Sequence, residues 1–154
     1  MPKLGAVFYG AGNVRPFAQP LVDEDILLAG AWDMNTIPVA EMAQVQVILS
    51  CGGYDQSHDQ GKAKEFHQSG VNGENVWLIE MGMIGKRLCD FLKGFGFRVI
   101  AHDPYRSDEL ATELGVEKVS MEELFRRPYI VSNHIPDFPS TKKVLGLALF
   151  ESLR

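Results

Sequence analysis

Little in this chain of 154 residues supports a disulfide scaffold, a membrane anchor or a polyanion partner. It has two cysteines, Cys51 and Cys89, too few for a disulfide framework; as small apolar residues in helical surroundings they read as reduced and structural. No apolar run approaches the roughly 18 residues that a membrane span requires. The N-terminal MPKLGAVFYG has neither the apolar segment nor the small-residue cleavage site of a signal peptide, so no membrane partner and a cytoplasmic location are expected. Lys and Arg number 15 against 20 Asp and Glu, for a net charge of -5, with no basic run, so no nucleic-acid partner is expected either. Metal ligands are equally sparse. Cys51, His58 and His67 match no compact zinc spacing, and no metal is expected. One further absence is a single letter. LIEMGMIGKRL, residues 78–88, would read G-x-G-x-x-G if glycine stood where Glu80 stands.

What is present fits one or two compact soluble units, with 45% hydrophobic and 23% charged residues. LGAVFY, residues 4–9, reads as a buried strand, followed by a turn over 10–13 and a short helix bracketed by Pro16 and Pro20. ILLAGAW, residues 26–32, reads as a second strand. From Pro38 the apolar spacing of Val39, Met42, Ala43 and Leu49 predicts a long helix, with Asn35 or Thr36 as its cap and more apolar surface than one buried face needs. CGGYDQSHDQGKAKEFHQSG is polar and glycine-punctuated, a linker or domain boundary with a possible helix over 61–67.

Beyond Gly73 strands and helices alternate. NVWLIEM, FRVIAHD, VEKVS and YIVSNH read as strands. MIGKRLCDFLKGF, SDELATELG, MEELFRR and, as one helix capped by Ser140 or Thr141, STKKVLGLALFESLR fill the intervals. Such alternation predicts an α/β fold with a doubly wound parallel sheet. Phe91, Phe95 and Phe97 lie at core spacing.

The imperfect glycine turn has the right context. A strand leads into it, Gly82 would let a pyrophosphate approach the backbone, Gly85 would let the following helix pack closely, and the helix start supplies N–H groups. Asp103 ends the next strand, where a carboxylate can accept both hydroxyls of an adenosine ribose, which favours NAD over NADP. Against this, Glu80 cannot take positive φ as cheaply as glycine, and Trp77 is bulky for a strand covered on both faces. A fold that no longer holds its nucleotide is therefore the competing reading. A rival turn lies in VFYGAGNVRPF, with Gly10, Gly12 and Asp33, but Arg15 replaces its third glycine and Pro16 follows.

GVNGENVWLIEMGMIGKRLCDFLKGFGFRVIAHDPY, LGVEKVSMEELF and HIPDFPST together resemble the D-isomer-specific 2-hydroxyacid dehydrogenases, the group containing phosphoglycerate dehydrogenase and hydroxypyruvate reductase. AVFYGAGNVRPF and ILLAGAWDMNTIPVAEM resemble the end of that family's substrate domain, Asn35 and Val39-Ala40-Glu41 matching its N-x-x-x-V-A-E signature. The resemblance implies part of a flavodoxin-like substrate domain over 1–36, an interdomain helix and linker over 37–70, and the first half of a Rossmann-like NAD-binding domain over 71–154. It implies NAD as cofactor, Gly82, Met83, Ile84 and Gly85 around the pyrophosphate, and Asp103 on the ribose. His134, Pro136 and Thr141 match its cofactor-side H-x-P segment and the threonine after it, and Asn35 would shape the cleft. It further implies hydride transfer with a 2-hydroxy or 2-keto acid and a homodimer through the helix near Val39. The family's substrate-binding arginine and its histidine and glutamate pair have no counterparts here, so a truncated member without turnover of its own is expected, and no residue is assigned as catalytic. A non-enzymatic Rossmann-like dimerisation module is the alternative.

Overall fold

The computed structural model describes residues 4–54, 70–126 and 130–152. The chain divides into two compact units, Met1–Val39 and Ala40–Arg154. The possible helix over 61–67, and His58 and His67 with it, lie outside the described residues.

The first unit is a βαβ element. Strand β1 (Ala6–Tyr9) pairs in parallel with β2 (Leu27–Gly30), and α1 (Arg15–Asp23) connects them. Tyr9 packs edge-on against Phe17 at 4.9 Å between ring centres. β2 ends at Gly30, and Trp32 and Asp33 belong to the following helix, α2 (Trp32–Cys51), rather than to the strand that their apolar neighbours suggest.

That helix also starts earlier than Pro38 predicts. Asn35 and Thr36 are not its cap; they lie in its first turns. The Asn35 N–H already donates to the Ala31 carbonyl at 2.9 Å, and the Thr36 hydroxyl bonds back to the Asp33 carbonyl at 2.6 Å. Pro38 therefore stands inside the helix, where it supplies no N–H.

The second unit is a parallel sheet of β3 (Asn75–Ile79), β4 (Arg98–His102), β5 (Glu117–Lys118) and β6 (Ile130–Asn133), in the order β5-β4-β3-β6. Its helices are α3 (Met83–Gly94), α4 (Asp108–Glu113), α5 (Met121–Leu124) and α6 (Leu147–Glu151). From β3 the chain steps outward through β4 and β5, then returns to β6 on the other side of β3. The end of β3 is thus the switch point at which doubly wound sheets bind ligands. Alternation along β3 builds two cores. Val76 and Leu78 join Leu88, Cys89 and Leu92 of α3 and Ala40, Val47 and Cys51 of α2, whereas Trp77 and Ile79 join Leu124, Phe125, Leu145 and Leu149. The sheet is covered on both faces, as a doubly wound fold requires. Both cysteines are free and buried, and burial raises both thiols above their ordinary range.

Local chemistry sets the helix starts. The Ser120 hydroxyl accepts the Glu123 N–H at 3.1 Å while Glu123 accepts the Ser120 N–H at 3.0 Å, a reciprocal cap that begins α5. Ser107 caps α4 through the Leu110 N–H. The C-terminal stretch is not one helix capped by Ser140 or Thr141. Those residues form a 3-10 turn, Pro139–Thr141, Lys143 takes φ 66°, and α6 starts only after Gly146. Among the phenylalanines, Phe97 is buried and Phe91 packs on the first core, but Phe95 lies exposed at the end of α3. Among the described residues no helix is long and apolar enough to cross a membrane.

Candidate nucleotide site at the end of β3

Strand β3 delivers its chain into the turn Glu80–Gly82. The Glu80 N–H donates to the His102 carbonyl at 2.8 Å, continuing the ladder with β4 by one residue. Glu80 then adopts φ 72°, the left-handed conformation that glycine takes freely and an L residue takes at a cost of about 1 kcal/mol or more. The first glycine of the motif is absent, yet the backbone keeps the glycine's shape.

Asp103, 1% exposed, braces that shape from β4. Its Oδ2 accepts the Met81 N–H and its Oδ1 the Tyr105 N–H, each at 2.8 Å. The Arg106 Nε lies 3.9 Å from Oδ2. Asp103 is therefore where the sequence places it, against the glycine turn, but both its oxygens are held by backbone amides.

Gly82 caps α3, and its carbonyl accepts the Lys86 N–H at 3.0 Å. A Cβ added to Gly82 would meet nothing within 4 Å, so open space lies before the helix start. The N–H groups of Met83, Ile84 and Gly85 precede the first internal bond of α3 and find no acceptor among the described residues. Unsatisfied amides, a positive helix end and clearance at Gly82 together suit a diphosphate. Ile84 gives the site only its backbone, since its side chain packs on the first core. Gly85 is buried, and a Cβ there would run into the Glu80 carbonyl oxygen, which is why this position needs glycine.

His134 follows β6, and its N–H donates to the Ile79 carbonyl at 3.0 Å. Its Cδ2 would lie 3.9 Å from a Cβ at Gly85, so the ring stands beside the turn. Nε2 lies 3.0 Å from the Ser132 hydroxyl, and burial lowers the ring below its ordinary value near 6.5. Pro136 and Thr141 bond to each other. The Thr141 hydroxyl lies 2.5 Å from the Pro136 carbonyl, to which it donates, and accepts the Phe138 N–H at 2.9 Å, closing the loop after His134. The structure thus gathers Gly82, Gly85, Asp103 and His134, with Met83 and Ile84 supplying amides. It shows Pro136 and Thr141 holding their own loop.

Sequence reasoning missed the surroundings of Glu80. Burial and the neighbouring Asp103 raise its carboxyl above the usual range, while His102 and Arg106 draw it back. Glycine spacing carries no sign of that group, because the motif names the backbone and not what a side chain there would face. Trp77 raises a separate problem. Its ring fits the second core, but its indole N–H is buried without an acceptor among the described residues.

The rival turn has weaker donors. The Arg15 N–H is taken by the Asn13 side chain at 3.1 Å, and Pro16 has no N–H, so the start of α1 offers an anion little. Asp33 lies in α2 and not at a strand end. Among the described residues, no three His, Cys, Asp or Glu side chains cluster as a metal site would need.

Residues 42–154 match the model of the D-isomer specific 2-hydroxyacid dehydrogenase, NAD binding domain family. The chain is 26% identical over 149 residues to D-3-phosphoglycerate dehydrogenase from Methanocaldococcus jannaschii, covering 93% of this chain and 28% of that protein. It is 40% identical over 82 residues to D-lactate dehydrogenase from Escherichia coli K12, covering 53% of this chain and 25% of that protein. The chain thus spans about a quarter of the length of these curated relatives. Among solved structures, apo D-lactate dehydrogenase from Escherichia coli superposes with a TM-score of 0.74 at 26% identity, over 97% of this chain and 49% of that one.

Proposed function

The chain belongs to the D-isomer specific 2-hydroxyacid dehydrogenase family through its NAD-binding domain, and from that premise we propose that it binds NAD at the end of β3 and serves hydride transfer involving a small 2-hydroxy or 2-keto acid. The observation that carries the reading is the start of α3. Three amides with no acceptor among the described residues face clear space at Gly82, beside a turn that Asp103 fixes and Gly85 allows to pack. NAD, when bound, supplies the hydride acceptor or donor. The chain's own residues would bind and orient it: the amides of Met83, Ile84 and Gly85 would hold the diphosphate, and Asp103, which also fixes the turn, would hold the ribose. His134, neutral near pH 7 because burial disfavours its charge, walls the site next to Gly85. Pro136 and Thr141 fix the loop that continues from it.

The domain reading goes with this: residues 1–36 as part of a substrate domain, 37–70 as interdomain helix and linker, 71–154 as the first half of the NAD domain. We also place the protein in the cytoplasm and pair two copies through α2, where Met42, Val45 and Leu49 are 61%, 49% and 38% exposed. That apolar face equally favours the second reading, a dimerisation module whose nucleotide site has lapsed. Isothermal titration of the 154-residue chain with NAD+ and NADH separates the two. Saturable binding that Gly82→Val abolishes supports the cofactor site. A folded dimer that binds neither form supports the module.

A further inference from the structure

We propose that Ser132 is a positioning residue of the cofactor site: its hydroxyl donates to His134 Nε2, which fixes the imidazole as the Nδ1–H tautomer and leaves that N–H to donate to an oxygen of the bound nucleotide. The inference rests on the nucleotide reading above. Ser132 and His134 stand two residues apart at the end of β6, which runs parallel to β3 with Ser132 opposite Leu78. The His134 N–H continues that ladder by donating to the Ile79 carbonyl, so the two side chains keep to one face of the sheet. Ile130 marks the face by packing on the first core, with α2 and α3, whereas Val131 packs on the second. There the Ser132 Oγ lies 3.0 Å from Nε2, and the ring stands beside Gly85 in the first turn of α3.

A neutral imidazole has one N–H and one bare nitrogen, and its partners decide which is which. Burial keeps this ring neutral near pH 7. Neither side chain has another hydrogen bond or ion pair to the described residues, so the choice rests on this one contact. With the proton on Nδ1, Ser132 gives its hydrogen to Nε2, and Nδ1–H is the one donor left over. With the proton on Nε2, the hydroxyl hydrogen is left to the cavity of about 340 Å³ that Ser132 lines with Gln46, Val47 and Ser50, and Nδ1 becomes a bare acceptor. A bare acceptor is ill suited to a neighbourhood whose free amides and positive helix end draw an anion. The first arrangement satisfies the serine and puts a further donor beside those amides.

Nitrogen-15 spectra of the imidazole at pH 7 tell a protonated ring nitrogen from a bare one. They are recorded for the wild-type chain, Ser132→Ala and Ser132→Thr, with the His134 signals assigned from their loss in His134→Gln, and NAD+ affinity is measured on the same samples by calorimetry. The expected result is Nδ1–H with bare Nε2 in the wild type and in Ser132→Thr, which keeps the hydroxyl, and loss of that preference in Ser132→Ala. Kd for NAD+ is expected to rise by about threefold to tenfold in Ser132→Ala and to stay within about twofold in Ser132→Thr. A wild-type proton on Nε2, or a tautomer that Ser132→Ala leaves unchanged, overturns the role of Ser132 while NAD+ binding keeps the nucleotide site standing. A tautomer that moves in Ser132→Ala with no change in Kd overturns the contact between His134 and the nucleotide. A folded wild-type chain that does not bind NAD+ overturns the nucleotide reading itself, and this inference with it.

Discussion

A φ of 72° at Glu80 holds an L side chain in the left-handed region beside a second, enclosed carboxylate. Glu80→Gly removes both penalties, and the extra freedom of an unfolded glycine offsets part of the gain, so stability rises by about 1 kcal/mol. A higher midpoint in urea, with unchanged slope, checks it. His134 makes stability depend on pH. Burial depresses its folded-state value below the 6.5 of an ordinary histidine, so above that value both states are neutral and nothing is gained or lost. As pH falls through it the unfolded chain takes up the proton first and stability declines, until the folded ring protonates in turn. His134→Gln removes this component. Between about pH 7 and about pH 5 the variant is expected to lose less stability than the wild type, which thermal melts at both pH values measure. Comparing the two proteins cancels the opposite contribution of Glu80, whose raised carboxyl favours the folded state as it protonates.

Among the elements, α2 shows where local signals mislead. Pro38 and the polar pair Asn35 and Thr36 spell a helix start, yet the helix begins at Trp32, and Thr36 bonds back to Asp33 instead of capping. An interior proline costs up to about 3 kcal/mol, so Pro38→Ala is expected to stabilise the protein by about 2 kcal/mol after the loss of proline's restraint on the unfolded chain. Urea denaturation followed by far-ultraviolet circular dichroism reads the difference. The alternation of strands and helices after Gly73 was legible because each strand has a short apolar run and each helix an apolar stripe or a serine cap, as at Ser107 and Ser120. The C-terminal stretch was not: its composition suits a helix, but the Thr141 bonds to Pro136 and Phe138 and the positive φ at Lys143 divide it. At the site, Gly82, Gly85 and Asp103 were legible from spacing alone. The enclosure of Asp103 was not, since spacing locates a carboxylate without saying which amides occupy it.

For the molecule as a whole, the proposed pairing through α2 is the property most open to measurement. Light scattering is expected to give twice the 17.1 kDa of the chain, and Met42→Glu, which puts a charge into the exposed apolar face, is expected to return it towards the single-chain mass at micromolar concentration. An unchanged mass for the variant removes α2 as the contact. The left-handed backbone at Glu80 has a different kind of consequence, one for inheritance. Either glutamate codon becomes a glycine codon by one A-to-G transition, and the peptide already lies where glycine would leave it. A lineage can therefore gain or shed the acid at this position by a single base change, with the sheet, the helix and the brace beneath it undisturbed.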